Sequence, residues 1–307
     1  MASPADGSQM IDIERAHKIP ASRRYFNISV IWIFYRSAVL RLLYWLRVPH
    51  ELVTLASIGS GLFSAVMFYQ GSLIPAAVLL HLKDVLDACD GGLARLTDRG
   101  HLIGRYLDSL GDFLVLASVV IAISLHAYSL GQQHYLVWGL AALFSIFIQC
   151  SFFNFYQIAY VERYGINSLN SKRDESGRDD LDVGALSGPS RLLLKLLRFA
   201  YIVVYSWQDK LVAAVDNALL KRCVICPKRD WYGDKALMVL QSPLCFGTHI
   251  FVLIVCALLG RPQYGLIFVV IAMNLYLLFV LYYRRNHFLR RLPQLGPDAE
   301  VVQGKEI

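Results

Sequence analysis

Apolar stretches long enough to cross a bilayer recur in this chain at 51–70, 73–94, 103–128, 135–160, 236–260 and 263–283. A membrane helix needs about 20 apolar residues to match a hydrocarbon core of roughly 30 Å. Lipid offers no water to stray backbone groups, so runs of this length predict helices. The expected fold is an all-α integral membrane protein with about six transmembrane helices. Composition agrees, because 56% of the 307 residues are hydrophobic and the mean hydropathy is +0.46, which excludes an ordinary soluble domain.

The segment before the first span, 25–49, is aromatic and aliphatic but is broken by Arg36, Arg41 and Arg47. Several arginines in one span are costly, so it reads as an interfacial amphipathic helix, with a tilted span and snorkelling arginines as the alternative. The turns near 70–74 and 128–135 carry no Lys or Arg and the turn near 261 only Arg261, whereas the alternate loops hold Arg95, Arg99, Lys172, Arg173, Arg178, Arg284 and Arg285. The positive-inside rule therefore places both termini in the cytoplasm. The expected divisions are a polar N-terminus (1–24), the interfacial helix (25–49), four membrane helices (50–160), a cytoplasmic stretch (161–235), two more membrane helices (236–284) and a cytoplasmic tail (285–307).

Within the cytoplasmic stretch, 161–190 is charged and loop-like. From Ser190 on, Arg191, Lys195 and Arg198 lie on one side of a helical pattern whose other side is Leu192, Leu193, Leu196 and Leu197. The net charge of +7 is spread between apolar runs, which argues for anionic lipid or an anionic substrate and against nucleic acid. Cys89, Cys150, Cys245 and Cys256 fall in membrane segments, where Cys acts as a small hydrophobe, and the pair Cys223/Cys226 has no second pair to complete a zinc site. The sequon Asn27-Ile28-Ser29 falls on the cytoplasmic side and should stay unmodified.

One stretch breaks the apolar pattern. Asp87 and Asp90 are three residues apart on the second predicted span, which puts them on one helical face, and Gly104, Asp108 and Asp112 follow at four-residue intervals on the third. A charged residue at the centre of a membrane helix costs roughly 2.5–3.5 kcal/mol on insertion scales, so these carboxylates require a positive partner. Two facing carboxylate pairs suit one or two hard divalent cations that keep positions open for phosphate oxygens. Gly91, Gly92 and Ala94 expose backbone beside them, and Arg95 offers a planar, permanently charged fork for phosphate. Asp84 either pairs with neighbouring Lys83 or forms part of the pocket wall, and His81 and His101 flank the site as structural groups.

The pattern Asp87, Asp90, Gly91, Ala94, Arg95, Gly104, Asp108 and Asp112 resembles D-x2-D-G-x2-A-R-x8-G-x3-D-x3-D, the motif of the CDP-alcohol phosphotransferase family. The resemblance covers the motif and the six-helix layout but not clearly 161–235. It implies metal-dependent transfer of a substituted phosphate from a CDP-linked donor to an acceptor hydroxyl, with release of CMP, in phospholipid biosynthesis. It also implies Asp87, Asp90, Asp108 and Asp112 as ligands of Mg²⁺ or Mn²⁺, Asp112 as the base, and Gly91, Ala94, Arg95 and Gly104 as the CDP site. The six-helix size favours CDP-diacylglycerol plus a polar alcohol, and a CDP-linked polar alcohol (choline, ethanolamine or inositol type) donating to a lipid or soluble hydroxyl is the alternative. Arg105, Arg163, Arg191, Lys195 and Arg198 either hold a phosphorylated acceptor or face lipid headgroups. Family members are often dimeric, and the apolar third and fourth helices offer a homodimer surface. The setting implied is a bacterial inner membrane or endoplasmic reticulum, with the site on the cytoplasmic face. A membrane prenyltransferase carries its acidic motifs far apart in the chain, and a divalent-cation transporter spreads carboxylates through the membrane depth, so both fit less well.

Overall fold

The computed structural model describes residues 16–28, 33–97, 102–164, 188–221 and 228–291. Residues 165–187, which include the charged run expected to be a loop, lie outside the described residues, as do His101, Arg99, Cys223, Cys226 and the tail after residue 291. Among the described residues the chain is helical with no strand: α1 Ile33–Trp45, α2 His50–Tyr69, α3 Leu73–Leu96, α4 Leu102–Ser129, α5 Tyr135–Tyr164, α6 Gly188–Lys221, α7 Lys228–Gly233, α8 Lys235–Gln241, α9 Phe246–Leu258, α10 Pro262–Phe268 and α11 Asn274–Arg291. A π-helical turn, Val269–Met273, joins the last two.

Among the described residues, four helical stretches are long and apolar enough to cross a membrane: His50–Tyr69, Ile103–Ser129, Tyr135–Tyr164 and Pro262–His287. Lys235–Leu244 and Phe246–Leu258 make a fifth if taken together, bent by 42°, where Pro243 stands in a 3-10 turn between them. The sixth expected span is α3. At 24 residues it has the length, but Lys83, Asp84, Asp87, Asp90 and Arg95 set it apart from the apolar helices. The 13 residues of α1 extend only about 20 Å, less than the roughly 30 Å of a hydrocarbon core.

The tight turns share one solution. Gly71, Gly131 and Gly260 adopt φ of +76°, +83° and +74° just past α2, α4 and α9. The next residue then donates back into the helix, Ser72 N to Met67 O at 2.9 Å, Gln132 N to Ala127 O at 3.0 Å and Arg261 N to Cys256 O at 2.9 Å. This is the left-handed C-terminal cap that glycine adopts without a Cβ penalty. It reverses the chain within a few residues, so α2 and α3, then α4 and α5, lie side by side.

Small residues then bring α2 against α3 and α4. Ser57, Ser60 and Ser64 share one face of α2, and their hydroxyls donate to the carbonyls of Lys83 (3.0 Å), Leu79 (2.7 Å) and Ala76 (2.8 Å) on α3. On α2 again, a Cβ at Gly61 would collide with Val115 of α4, and one at Gly111 of α4 would collide with Ile58. Interhelical hydrogen bonds in membranes average about 0.6 kcal/mol, so the three serines together contribute under about 2 kcal/mol. Overfilling a packed contact costs roughly 1–3 kcal/mol on its own, so close approach at the glycines matters as much as all three bonds.

The amphipathic helix foreseen from Ser190 runs the full 34 residues of α6 and docks on the bundle. Tyr205 Oη donates to Ser109 O at 2.7 Å and Ser151 Oγ to Gln208 at 2.5 Å. Deeper in, Asp216 accepts from Tyr156, from Trp231 Nε1 at 2.8 Å and from Tyr232 Oη at 2.6 Å. Arg284 of α11 stacks 3.6 Å over Tyr156 and donates to Trp231 O at 2.8 Å. The outward face keeps Leu192, Leu196, Phe199 and Val203 exposed. Gly61→Leu is expected to lower the melting temperature of detergent-solubilised protein more than Ser64→Ala does, and an equal or smaller shift would show that α2 and α4 are not packed through that glycine.

Candidate active site

Helices α3 and α4 both pack on α2, and this brings the acidic motif together at one end of the bundle. One carboxylate oxygen each from Asp87, Asp108 and Asp112 lies within 4.8 Å of the others. Asp90 stands one turn along α3 from Asp87, nearly buried, and its Oδ2 accepts from Thr54 Oγ1 at 2.7 Å. Thr54 precedes Ser57 on the same face of α2, so the polar stripe that packs the helices also anchors the second aspartate.

A cavity of about 350 Å³ opens beside this cluster. Its acidic wall is Asp87, Asp90 and Asp108, with Gly91, Gly92 and Arg95 next along α3. The opposite wall comes from Arg36 and Ser37 of α1 and from a strap, Ala16–Arg24, that crosses in front of the site. A Cβ on Gly91 would meet nothing nearer than the Arg95 guanidinium at 3.4 Å, so this glycine faces the cavity. Gly92 has a different task, since a Cβ there would press on Leu40 of α1 at 3.1 Å.

The strap is tied at both ends. Arg95 Nε donates to Ala16 O at 2.7 Å, and Ala16 is buried among Leu40, Val53, Val85, Cys89 and Leu93. Tyr160 Oη donates to Arg23 O at 2.9 Å, Gln157 Nε2 to Tyr25 Oη at 2.8 Å, and the rings of Tyr25 and Tyr160 meet edge to face at 5.7 Å. The strap presents His17, Lys18 and Arg24 to the cavity. Lys18 has its pKa lowered, first by loss of hydration and then by the charge of Arg95, against the pull of Asp108, Asp87 and Asp90. Its side chain remains exposed, which damps the shift.

Lys83 is the deepest charge in the site. Its side chain is fully buried, with the ammonium on Asp87 Oδ1 at 3.1 Å, on Asp112 Oδ1, and 4.6 Å from the centre of the Phe246 ring. The local pairing considered for Lys83 and Asp84 is thus exceeded: the ammonium reaches one turn along α3 and across to α4. Spacing makes the Asp87 contact legible, as an i,i+4 pair. The Asp112 contact needs the tertiary fold.

The motif positions divide. Asp87, Asp90, Gly91, Arg95 and Asp108 line the cavity; Ala94, Gly104 and Asp112 do not. Gly104 lies near His50, whose ring would be 3.8 Å from a Cβ added there, and Asp112 stands behind the lining with about 24% of its side chain accessible. Of the basic residues singled out for an acceptor phosphate, Arg105, Arg163, Arg191, Lys195 and Arg198 are all absent from the lining, and Arg105 and Arg163 stack on Tyr106 and Tyr164. The basic residues at the cavity are His17, Lys18, Arg24, Arg36 and Arg95. Sequence reasoning passed over Lys18, Arg36 and Thr54 because nothing local signals that the strap, α1 and α2 converge on α3.

Residues 46–167, from the end of α1 through α5, match the family model described as CDP-alcohol phosphatidyltransferase. No curated protein matches the chain. The matched stretch contains the whole acidic motif, while the strap, Arg36 and all of α6–α11 lie outside it. Losing one hydrogen bond here is worth about 1–2 kcal/mol, so Arg95→Met should speed amide hydrogen exchange across residues 17–20 by roughly 5- to 30-fold. Unchanged protection would mean that Arg95 does not hold the strap.

Proposed function

From the CDP-alcohol phosphatidyltransferase domain at residues 46–167, we propose that this membrane protein is a divalent-metal-dependent transferase. It moves a substituted phosphate from a CDP-linked donor to an acceptor hydroxyl and releases CMP. The observation that carries this reading is the convergence of Asp87, Asp108 and Asp112 beside a cavity that also presents Gly91 and Arg95.

The donor set fits a hard cation. All the groups are carboxylates on two consecutive helices, the ligand chemistry that Mg²⁺ and Mn²⁺ prefer, with Asp87, Asp90 and Asp108 open to the cavity. When bound, such an ion supplies fixed positive charge to the diphosphate oxygens. The chain's own residues do the rest. Gly91 lets the nucleotide approach the α3 backbone, and the Arg95 guanidinium meets the charge that grows on the departing CMP. Lys83 holds Asp112 Oδ1, and Asp112 is the group that takes the acceptor's hydroxyl proton. The acceptor oxygen bonds to the phosphorus distal to cytidine as the bridging P–O bond breaks, and CMP leaves with that electron pair.

CDP-diacylglycerol is the favoured donor and a polar alcohol the favoured acceptor, because Lys18, Arg24, Arg36, Ser37 and Gln157 give the cavity polar walls suited to a hydrophilic molecule. The excess of Lys and Arg in alternate loops supports a cytoplasmic site. With purified protein, Mn²⁺ or Mg²⁺ and a panel of donors, CMP is expected from CDP-diacylglycerol plus a polar alcohol; CMP only from CDP-linked choline, ethanolamine or inositol-type donors with a lipid acceptor would reverse the direction.

Asp112→Asn keeps shape but removes the base, so transfer should fall by about 10²–10⁴-fold while donor binding persists. Near-normal turnover in that variant would remove Asp112 from the proton transfer. Gly91→Leu should do the opposite, abolishing donor binding in a protein that still folds, and retention of binding would place the nucleotide elsewhere.

A further inference from the structure

We propose that Lys83 is an internal counter-ion that takes the place of one divalent cation, so that the site holds a single metal ion on its cavity side and leaves Asp112 to Lys83. This rests on the metal-dependent reading above and concerns how the chain's own residues divide the carboxylates.

Three observations carry it. The Lys83 ammonium is fully buried between Asp87 and Asp112, with one oxygen of each as its partner. It has no ready way out. The backbone carbonyl of Lys83 is held by Ser57 Oγ at 3.0 Å, its stem lies so close to Gly61 that an added Cβ would be 3.1 Å from Lys83 Cγ, and the Phe246 ring lies 4.6 Å from the ammonium. The cavity, finally, reaches Asp87, Asp90 and Asp108 but neither Lys83 nor Asp112.

A buried charge stays only where it is paired. The edge of the cluster between Asp87 and Asp112 therefore already holds a cation that the fold keeps in place, and a divalent ion there would have to displace it or stand directly against it. On the cavity edge Asp87, Asp90 and Asp108 share the lining with Lys18, Arg24, Arg36 and Arg95, but among the described residues no fully buried lysine stands between two of them as Lys83 stands between Asp87 and Asp112. Asp112 is thereby a positioned base and not a metal ligand, and Lys83 is the positioning residue that holds it.

Counting bound Mn²⁺ by equilibrium dialysis and electron paramagnetic resonance, on the full chain in nanodiscs without substrate, tests this directly. Wild type should bind one ion per chain, Lys83→Met two, and Lys83→Arg one; Asp112→Asn should keep the single ion with unchanged affinity. Two ions in wild type, one in a folded Lys83→Met, or loss of the ion in Asp112→Asn would each overturn the assignment while leaving metal dependence standing. Binding of no ion by any of the four would overturn the metal-dependent reading and this inference with it. Should Lys83→Met fail to fold, the wild-type count and Asp112→Asn decide.

Discussion

Carboxylates inside a helix bundle of this apolarity persist only opposite positive charge, and that requirement shapes the molecule around α3. Each of its aspartates would be costly alone in a membrane. Asp87 and Asp112 face the Lys83 ammonium, Asp90 takes a hydrogen bond from Thr54, and the cavity opposite is walled by Lys18, Arg24, Arg36 and Arg95. The helix that looks least like a membrane span therefore turns one side to α1, α2 and α9, on which it packs. Its charges face α1, α2, α4 and the strap, while Ile74, Val78 and Leu82 remain outward.

The same economy governs the rest of the bundle. Polar side chains between helices are spent in closed groups: the serines of α2 on α3 carbonyls, Gln149 with His249 and Asn274, and Asp216 with Tyr156, Trp231 and Tyr232. In lipid there is little hydrophobic drive between helices, so packing through small residues and satisfied polar contacts selects the arrangement. The Asp216 and Arg284 group ties α6, α7 and α11 to α5, and α5 in turn supplies Tyr160 and Gln157 to the strap. The region beyond the family match is thereby connected to the cavity through one continuous helix.

Much of this was legible in the sequence because it rests on period and length. The apolar runs marked the helices and the turns near 70–74, 128–135 and 261 between them, and the three- and four-residue spacing of Asp87, Asp90, Asp108 and Asp112 placed them on facing sides of two helices. What stayed hidden depends on contacts far apart in the chain. Lys83 reads as the neighbour of Asp84 until α3 and α4 are both packed on α2 and Asp112 arrives at its ammonium. Arg105, Arg163, Arg191, Lys195 and Arg198 read on charge alone as groups for an acceptor phosphate or for lipid headgroups, while the cavity beside the aspartates is lined by Lys18 and Arg24 of a strap whose sequence carries no motif, by Arg36 of α1 and by Arg95. Likewise α6 reads as a surface helix from its basic and leucine faces, yet Gln208 and Asp216 bind it to the bundle.

The central claim is that the carboxylate cluster serves phosphoryl transfer from a CDP-linked donor. It is tested most directly by following nucleotide release from purified protein given CDP-diacylglycerol and a polar alcohol, with Mn²⁺ or Mg²⁺ and then with a chelator. Release of CMP in step with new phosphodiester, lost on chelation and restored by either ion, is the predicted result. Turnover that survives chelation, or release of inorganic diphosphate in place of CMP, would contradict it.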